Sequence, residues 1–214
     1  MALRCFMFDM ILSELQDVVG DEHVRVSYTD TLAYSYDYFW LSRLWVEKAE
    51  NLPVPDFVVL PGSTEEVSKV MKIANYYKIP VIPYGGGSGS QGGVMPAAGG
   101  IMLDTKRMNR LIDIDTVSGT ITCETGMIFQ ALEWYANERG YSTMHLPSCL
   151  TCCTVGGALA HNGTGILSSK YGRMADLTLN LEIVLPNGDI INTAPVPEHS
   201  GGPNLINVFV GSEG

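Results

Sequence analysis

The chain has 214 residues, of which 46% are hydrophobic and 17% charged, and a chain of that size buries roughly 70% of the surface its unfolded form exposes. That excludes a disordered segment, a peptide and a stapled mini-protein. Lys and Arg number 13 against 23 Asp and Glu, a net charge of -10, which excludes an unassisted electrostatic grip on nucleic acid or an anionic membrane surface.

No run approaches the ~18 apolar residues of a membrane span, and Met1 to Leu12, interrupted by Asp9, does not form a signal peptide. Cys5, Cys123, Cys149, Cys152 and Cys153 are odd in number, with three crowded into five positions. That is a poor pattern for a secreted disulfide framework, so reduced thiols and a cytoplasmic location are expected.

In chain order, Ile11, Leu12, Leu15, Val18 and Val19 recur at helical spacing before Gly20 and predict a short leading helix. Tyr28 to Trp45, dense in aromatic residues, reads as a packed irregular lead-in with no assigned function. Phe57 to Leu60 predicts a buried strand. Ser63 with Glu66 forms a capping-box signature for a helix whose buried face is Val67, Val70, Met71, Ala74 and Tyr77. Val81-Ile82 predicts a further strand, followed by the glycine loop from Tyr84 to Gly93.

Strands are then expected at Ile101 to Asp104, Ile112 to Ile114 and Thr120 to Glu124, and a helix at Phe129 to Arg139 with Gly140 as its stop. Thr151 to Gly165 reads as a second loop of small residues. Pro186-Asn187-Gly188 predicts a hairpin between Leu179 to Leu185 and Asp189 to Asn192. Phe209 to Glu213 reads as a strand entering a turn, so the ending at Gly214 carries the expectation of a domain truncated at its C-terminus.

Gly87-Ser88-Gly89-Ser90-Gln91-Gly92 matches the dinucleotide fingerprint literally, but Val94 to Gly100 cannot start the helix that the fingerprint requires. Consecutive glycines after a strand can still wrap a phosphate with backbone N–H groups, and a solvated flexible loop is the alternative. The second small-residue stretch makes a pair of such loops, which could cradle one dinucleotide.

Several separate motifs, in order over most of the chain, resemble the FAD-linked oxidases with the vanillyl-alcohol-oxidase or PCMH type of flavin domain. That family includes glycolate oxidase, D-lactate dehydrogenase and alkyl-dihydroxyacetonephosphate synthase. The motifs are Val59 to Val67, the Gly85 loop, Gly100 to Asp104, Met108-Asn109-Arg110, Glu124-Thr125-Gly126, Thr154 to Gly157, Asn162, Tyr171-Gly172, Leu181 to Gly188 and Gly211 to Gly214.

The resemblance implies an α+β flavin domain of two subdomains with non-covalent FAD extended between them. Residues 1–52 would be a lead-in and 53–214 the FAD domain, divided into Pro53–Tyr141 and Ser142–Gly214. Gly85, Gly86, Gly87, Ser88, Gly89 and Ser90 would hold the diphosphate, and Gly126 would lie near the adenosine half. Pro147, Ser148, Cys149, Cys153, Thr154, Gly156 and Gly157 would approach the ribityl chain and ring, with Asn162 and Gly163 beside the isoalloxazine. The family often has Pro-Gly-Ser where Pro147-Ser148-Cys149 stands, and Ser in place of Gly89. Covalent relatives use a loop His or Cys, and Pro80 to Leu103 contains neither.

The implied function is oxidation of a 2-hydroxy acid by hydride transfer to FAD. An alkyl-dihydroxyacetonephosphate synthase or a non-catalytic electron-transfer subunit is the alternative. The family's catalytic base comes from a cap domain that would follow Gly214, so the chain alone is expected to be inactive, with no catalytic residue assigned and the electron acceptor unknown. A homo-oligomer or partner subunit is compatible with this reading.

Cys149, Cys152 and Cys153 with His145 and His161 admit a zinc, iron-sulfur or thiol-enzyme reading. Small packing residues beside the cofactor account for the cysteines, Cys152 and Cys153 included, without a metal. His161 could face the flavin edge or be a structural histidine, and His23 and His199 carry no case. Lys170, Arg173 and Arg107 are expected to face solvent.

Overall fold

A computed structural model describes residues 2–48, 52–197 and 200–214. The chain divides into two compact units, Met1–Arg107 with Ile183–Ile191, and Met108–Glu182 with Asn192–Gly214. The first break thus falls at Arg107 and not at Tyr141, and the lead-in belongs to the first unit. Phe129 and Leu132 share a core with Cys153, Val155 and Ala158, a long-range association that chain order does not display.

In the first unit, α1 (Ala2–Val19) is longer than the apolar spacing indicates. Ala, Leu and Met are strong helix formers, whereas the spacing marks only the stretch where Ile11, Leu15 and Val19 are buried. The short β1 (Val24–Arg25) follows. The lead-in is not irregular, because Ser27 caps α2 (Tyr28–Leu32) by accepting the Asp30 N–H at 3.2 Å, and α3 spans Trp40–Glu47. Nor is it uniformly packed, since Tyr28, Tyr38 and Trp40 are exposed.

Next come β2 (Phe57–Val59), α4 (Thr64–Tyr77), β3 (Val81–Tyr84) and β4 (Ile101–Asp104). The four-stranded sheet has the order β1-β2-β4-β3, antiparallel at β1/β2 and parallel elsewhere. Both β2 and β4 are buried along their whole length, which explains their continuous apolar runs. Ser63 caps α4 as expected, but Glu66 accepts the N–H of Gly62 at 2.7 Å and pairs with Arg107 at 3.7 Å. The capping box is therefore only half formed. Arg107, expected to face solvent, also donates to the Leu60 carbonyl.

In the second unit, β5 (Leu111–Asp115) and β6 (Thr120–Cys123) form an antiparallel pair, followed by α5 (Phe129–Asn137). The expected second loop contains a helix, α6 (Val155–Ala160), succeeded by α7 (Ser168–Tyr171) and α8 (Met174–Leu177). The hairpin, whose residues Ile183–Ile191 belong to the first unit, is present as β7 (Glu182–Val184) and β8 (Ile190–Asn192), with Gly188 at φ 85 and its carbonyl accepting from Ser68 at 2.5 Å on α4. Instead of a closing strand there is a helical turn, α9 (Ile206–Phe209). Asn204 accepts the Ile206 N–H at 3.0 Å, and Ile206 and Val210, four residues apart, are both buried in the core.

Among the described residues, no helix is long and apolar enough to cross a membrane. No group of three or more His, Cys, Asp or Glu among them is placed to hold a metal.

Candidate functional site

Strand β3 pairs with β4 through Tyr84 opposite Asp104 and delivers the glycine loop at the carboxyl end of a parallel pair, where α/β sheets bind ligands. No helix follows the loop; residues 91–100 form turns. The loop's carbonyls are tied back: that of Gly85 accepts from Lys106 Nζ at 3.2 Å, and that of Gly89 from the Tyr38 N–H at 2.9 Å. In contrast, among the described residues none of the backbone N–H groups from Gly85 to Ser90 has an acceptor within the chain.

Beneath the loop the fully buried Asp104 pairs with Lys106 Nζ at 2.8 Å and accepts the Tyr34 hydroxyl at 2.7 Å. Burial, and then the bond to Asp104, pushes the Tyr34 phenol well above its ordinary range, and burial also raises Tyr84. Lys106 lies 4.7 Å from the Tyr84 ring centroid. Sequence reasoning missed Lys106, although its place two residues after a buried strand-end Asp was a usable signal. A cavity of about 370 Å³ opens beside the loop between Tyr36, Asp37, Tyr38, Arg43, Tyr84 and Gly87.

The second candidate surface lies in the other unit. The segment around Gly126 and the start of α6 are zipped together: Phe129 N–H to Cys153 carbonyl at 2.9 Å, Val155 N–H to Met127 carbonyl at 2.9 Å, and Gly156 N–H to Thr125 carbonyl at 2.7 Å. A Cβ at Gly156 would collide with the Thr125 side chain, so this approach requires glycine. Gly126 is buried and donates to the Met108 carbonyl at 2.8 Å.

The side chains of Cys153 and Thr154 turn inward. Burial, with the Cys149 thiol alongside, pushes the Cys153 thiol up to about 12, and Thr154 Oγ1 caps α6 at the Gly157 N–H, 3.1 Å away. Only their backbone remains for a ligand. Ser148 and Gly157 are exposed, Pro147 and Cys149 half-buried. Cys152 is exposed, so it is not the packing residue that the sequence suggested.

Asn162, at φ 49, accepts the Ala175 N–H through its side chain at 3.1 Å, and Gly163 donates to the Ala158 carbonyl at 2.9 Å. His161 pairs with Glu213 at 3.3 Å on the surface. His145, considered from the sequence only as a flank of the cysteines, is buried with both ring nitrogens unpartnered among the described residues. His23 pairs with Glu22 at 3.3 Å, Lys170 and Arg173 are exposed, and His199 lies outside the described residues.

The first surface fits a diphosphate. Consecutive uncommitted N–H donors make an anion nest, and Gly87, at φ 60, leaves a cradle where a Cβ would strike the Tyr84 hydroxyl.

The family model described as FAD binding domain matches residues 55–194. This chain belongs to the FAD binding domain family. FAD is its cofactor, and the resemblance to the FAD-linked oxidases is borne out. The chain is 33% identical over 205 residues to the glycolate oxidase subunit GlcD of Bacillus subtilis (strain 168), covering 95% of this chain and 42% of that relative. Against a D-lactate dehydrogenase of Archaeoglobus fulgidus it is 40% identical over 158 residues, 73% of this chain and 35% of the relative.

A solved structure of an alkyldihydroxyacetonephosphate synthase superposes with a TM-score of 0.88 at 26% identity, covering 96% of this chain and 38% of that one. The α+β flavin-domain fold follows from this likeness. The chain thus spans well under half the length of the relatives it matches.

Proposed function

We propose that the chain is the FAD-holding part of a flavin-dependent oxidoreductase that oxidises a 2-hydroxy acid of the glycolate or D-lactate type. The observation that carries the FAD assignment into residues is the run of uncommitted N–H groups from Gly85 to Ser90. These would hold the diphosphate, and Gly126 would lie near the adenosine half. Pro147, Ser148, Cys149, Gly156 and Gly157, with the backbone alone of Cys153 and Thr154, would approach the ribityl chain and ring, with Asn162 and Gly163 beside the isoalloxazine.

FAD supplies the hydride acceptor for an α-carbon. The chain's own residues bind and orient it: the Asp104–Lys106 pair fixes the Gly85 end of the loop, and Gly156 permits the close approach of two segments at the second surface. Pro80 to Leu103 contains no His or Cys, which supports a dissociable cofactor. No base or substrate-binding residue is assigned within the chain.

Similarity to the glycolate oxidase subunit and D-lactate dehydrogenase supports the hydroxy-acid substrate. The TM-score of 0.88 favours a second reading, an alkyldihydroxyacetonephosphate synthase-like enzyme acting on a phosphate-bearing substrate. The test is anaerobic addition of glycolate or D-lactate to FAD-loaded protein in which this chain is accompanied by the cap domain that would supply the base, since the chain alone is expected to be inactive. Loss of the visible flavin absorbance supports the first reading, and a flavin that neither acid bleaches contradicts it.

A further inference from the structure

The lead-in helices have no role in the reading above, yet the turn between them is bonded to the glycine loop. Asp37 is 5% exposed. Its Oδ1 accepts the Phe39 N–H at 2.9 Å, and its Oδ2 accepts the N–H of Gly92 at 3.1 Å, 55 residues along the chain. The neighbouring Tyr38 N–H donates to the Gly89 carbonyl at 2.9 Å.

The Phe39 bond alone would be an ordinary local Asp turn. The Gly92 bond is not local, and together with Tyr38 it grips the loop at its far end. Lys106 holds the near end at Gly85. The stretch thus fixed at both ends is the stretch whose N–H groups are uncommitted.

A carboxylate so close to an anion-binding loop weakens phosphate binding by charge alone. Its contribution must therefore be geometric. With both oxygens engaged by N–H groups, it holds in place a loop that would otherwise lose conformational freedom only when ligand arrives.

Resting on the FAD reading, we propose that Asp37 is a positioning residue for the FAD diphosphate, holding the glycine loop in its binding form through Gly92 and setting a preference for diphosphate-bearing ligands over unphosphorylated flavin. Removing one hydrogen bond to a charged group lowers affinity by about 10- to 100-fold.

The experiment measures the affinities of FAD, ADP and riboflavin for the full chain and for Asp37→Ala and Asp37→Asn, each well below its own unfolding temperature. The expected result is a parallel loss for FAD and ADP of about 10- to 100-fold in Asp37→Ala, a smaller loss in Asp37→Asn, which keeps one acceptor oxygen, and no change for riboflavin. If Asp37→Ala does not fold, the near-isosteric Asp37→Asn decides. Unchanged FAD and ADP affinities in the variants, or an equal loss for riboflavin, overturn the clamp alone. An unmodified chain that binds neither FAD nor ADP overturns the FAD reading and the clamp with it.

Discussion

His145 lies edge-on to Phe129, with ring centroids 5.1 Å apart and an interplanar angle of 61°, and neither ring nitrogen has a partner among the described residues. Burial lowers the imidazole's pKa. Above the ordinary value of about 6.5 the ring is neutral in both folded and unfolded chains and the shift has no effect. Below it the unfolded chain takes up the proton first, so stability falls with acidification. The thermal midpoint of the wild type is therefore expected to drop more steeply below that pH than the midpoint of His145→Phe. Parallel curves for the two proteins would contradict this.

Gly87 has φ 60, and a side chain there meets the Tyr84 hydroxyl. A left-handed non-glycine residue costs roughly 1–2 kcal/mol. Gly87→Ala is expected to weaken FAD binding by about tenfold or more. Equilibrium titration of FAD into the variant checks it, and wild-type affinity would show that the loop does not contact the cofactor.

The thiols should react very unevenly. Burial pushes Cys123 up to about 11 and Cys153 up to about 12, whereas Cys152 is exposed. Thiolate is the nucleophile, so an alkylating reagent at mildly alkaline pH is expected to label Cys152 and spare Cys123 and Cys153 until the chain unfolds. Peptide mapping by mass spectrometry reads the order of labelling.

Asp104 is fully buried beside Lys106, whose side chain is 39% exposed. Removing Lys106 leaves the buried carboxylate with the Tyr34 hydroxyl and the backbone N–H of residue 106 but no counter-charge, and because the lysine is partly in solvent the cost is about 1–3 kcal/mol. Lys106→Met is expected to destabilise by that order in denaturant unfolding. Adding Asp104→Asn should recover part of the loss, because the stranded charge disappears. Additive losses in the double variant would show that the pair is not coupled.

Much of the fold was legible because its signals are local. Apolar runs such as Phe57 to Val59 and Ile101 to Leu103, the Pro186-Asn187-Gly188 turn and the Ser63 cap each act within a few residues. The glycine loop was legible for the same reason, since consecutive glycines after a strand have few other uses. Helices α2 and α3 were obscured by crowded aromatic residues, some of which are exposed. The carboxyl-terminal turn was misread because Phe209 and Val210 favour strand, and the bond from the Ile206 N–H to the Asn204 side chain that accompanies the helical turn has no signature at those residues.

What connects distant positions left no pattern. Asp37 to Gly92, Tyr34 to Asp104 and Ser68 to the Gly188 carbonyl are bonds across 55, 70 and 120 residues. Cys153 and Thr154 were legible as residues of the loop, but their inward orientation depends on a core assembled from remote segments.

The central claim is that this chain holds FAD through uncommitted loop N–H groups and without a covalent bond. The direct measurement is the visible absorbance spectrum of the purified chain after FAD addition and desalting, followed by acid precipitation. The account predicts flavin bands that follow the protein through the column and pass into the acid supernatant. A colourless protein would contradict FAD binding by this chain, and flavin that remains in the acid pellet would contradict the dissociable cofactor.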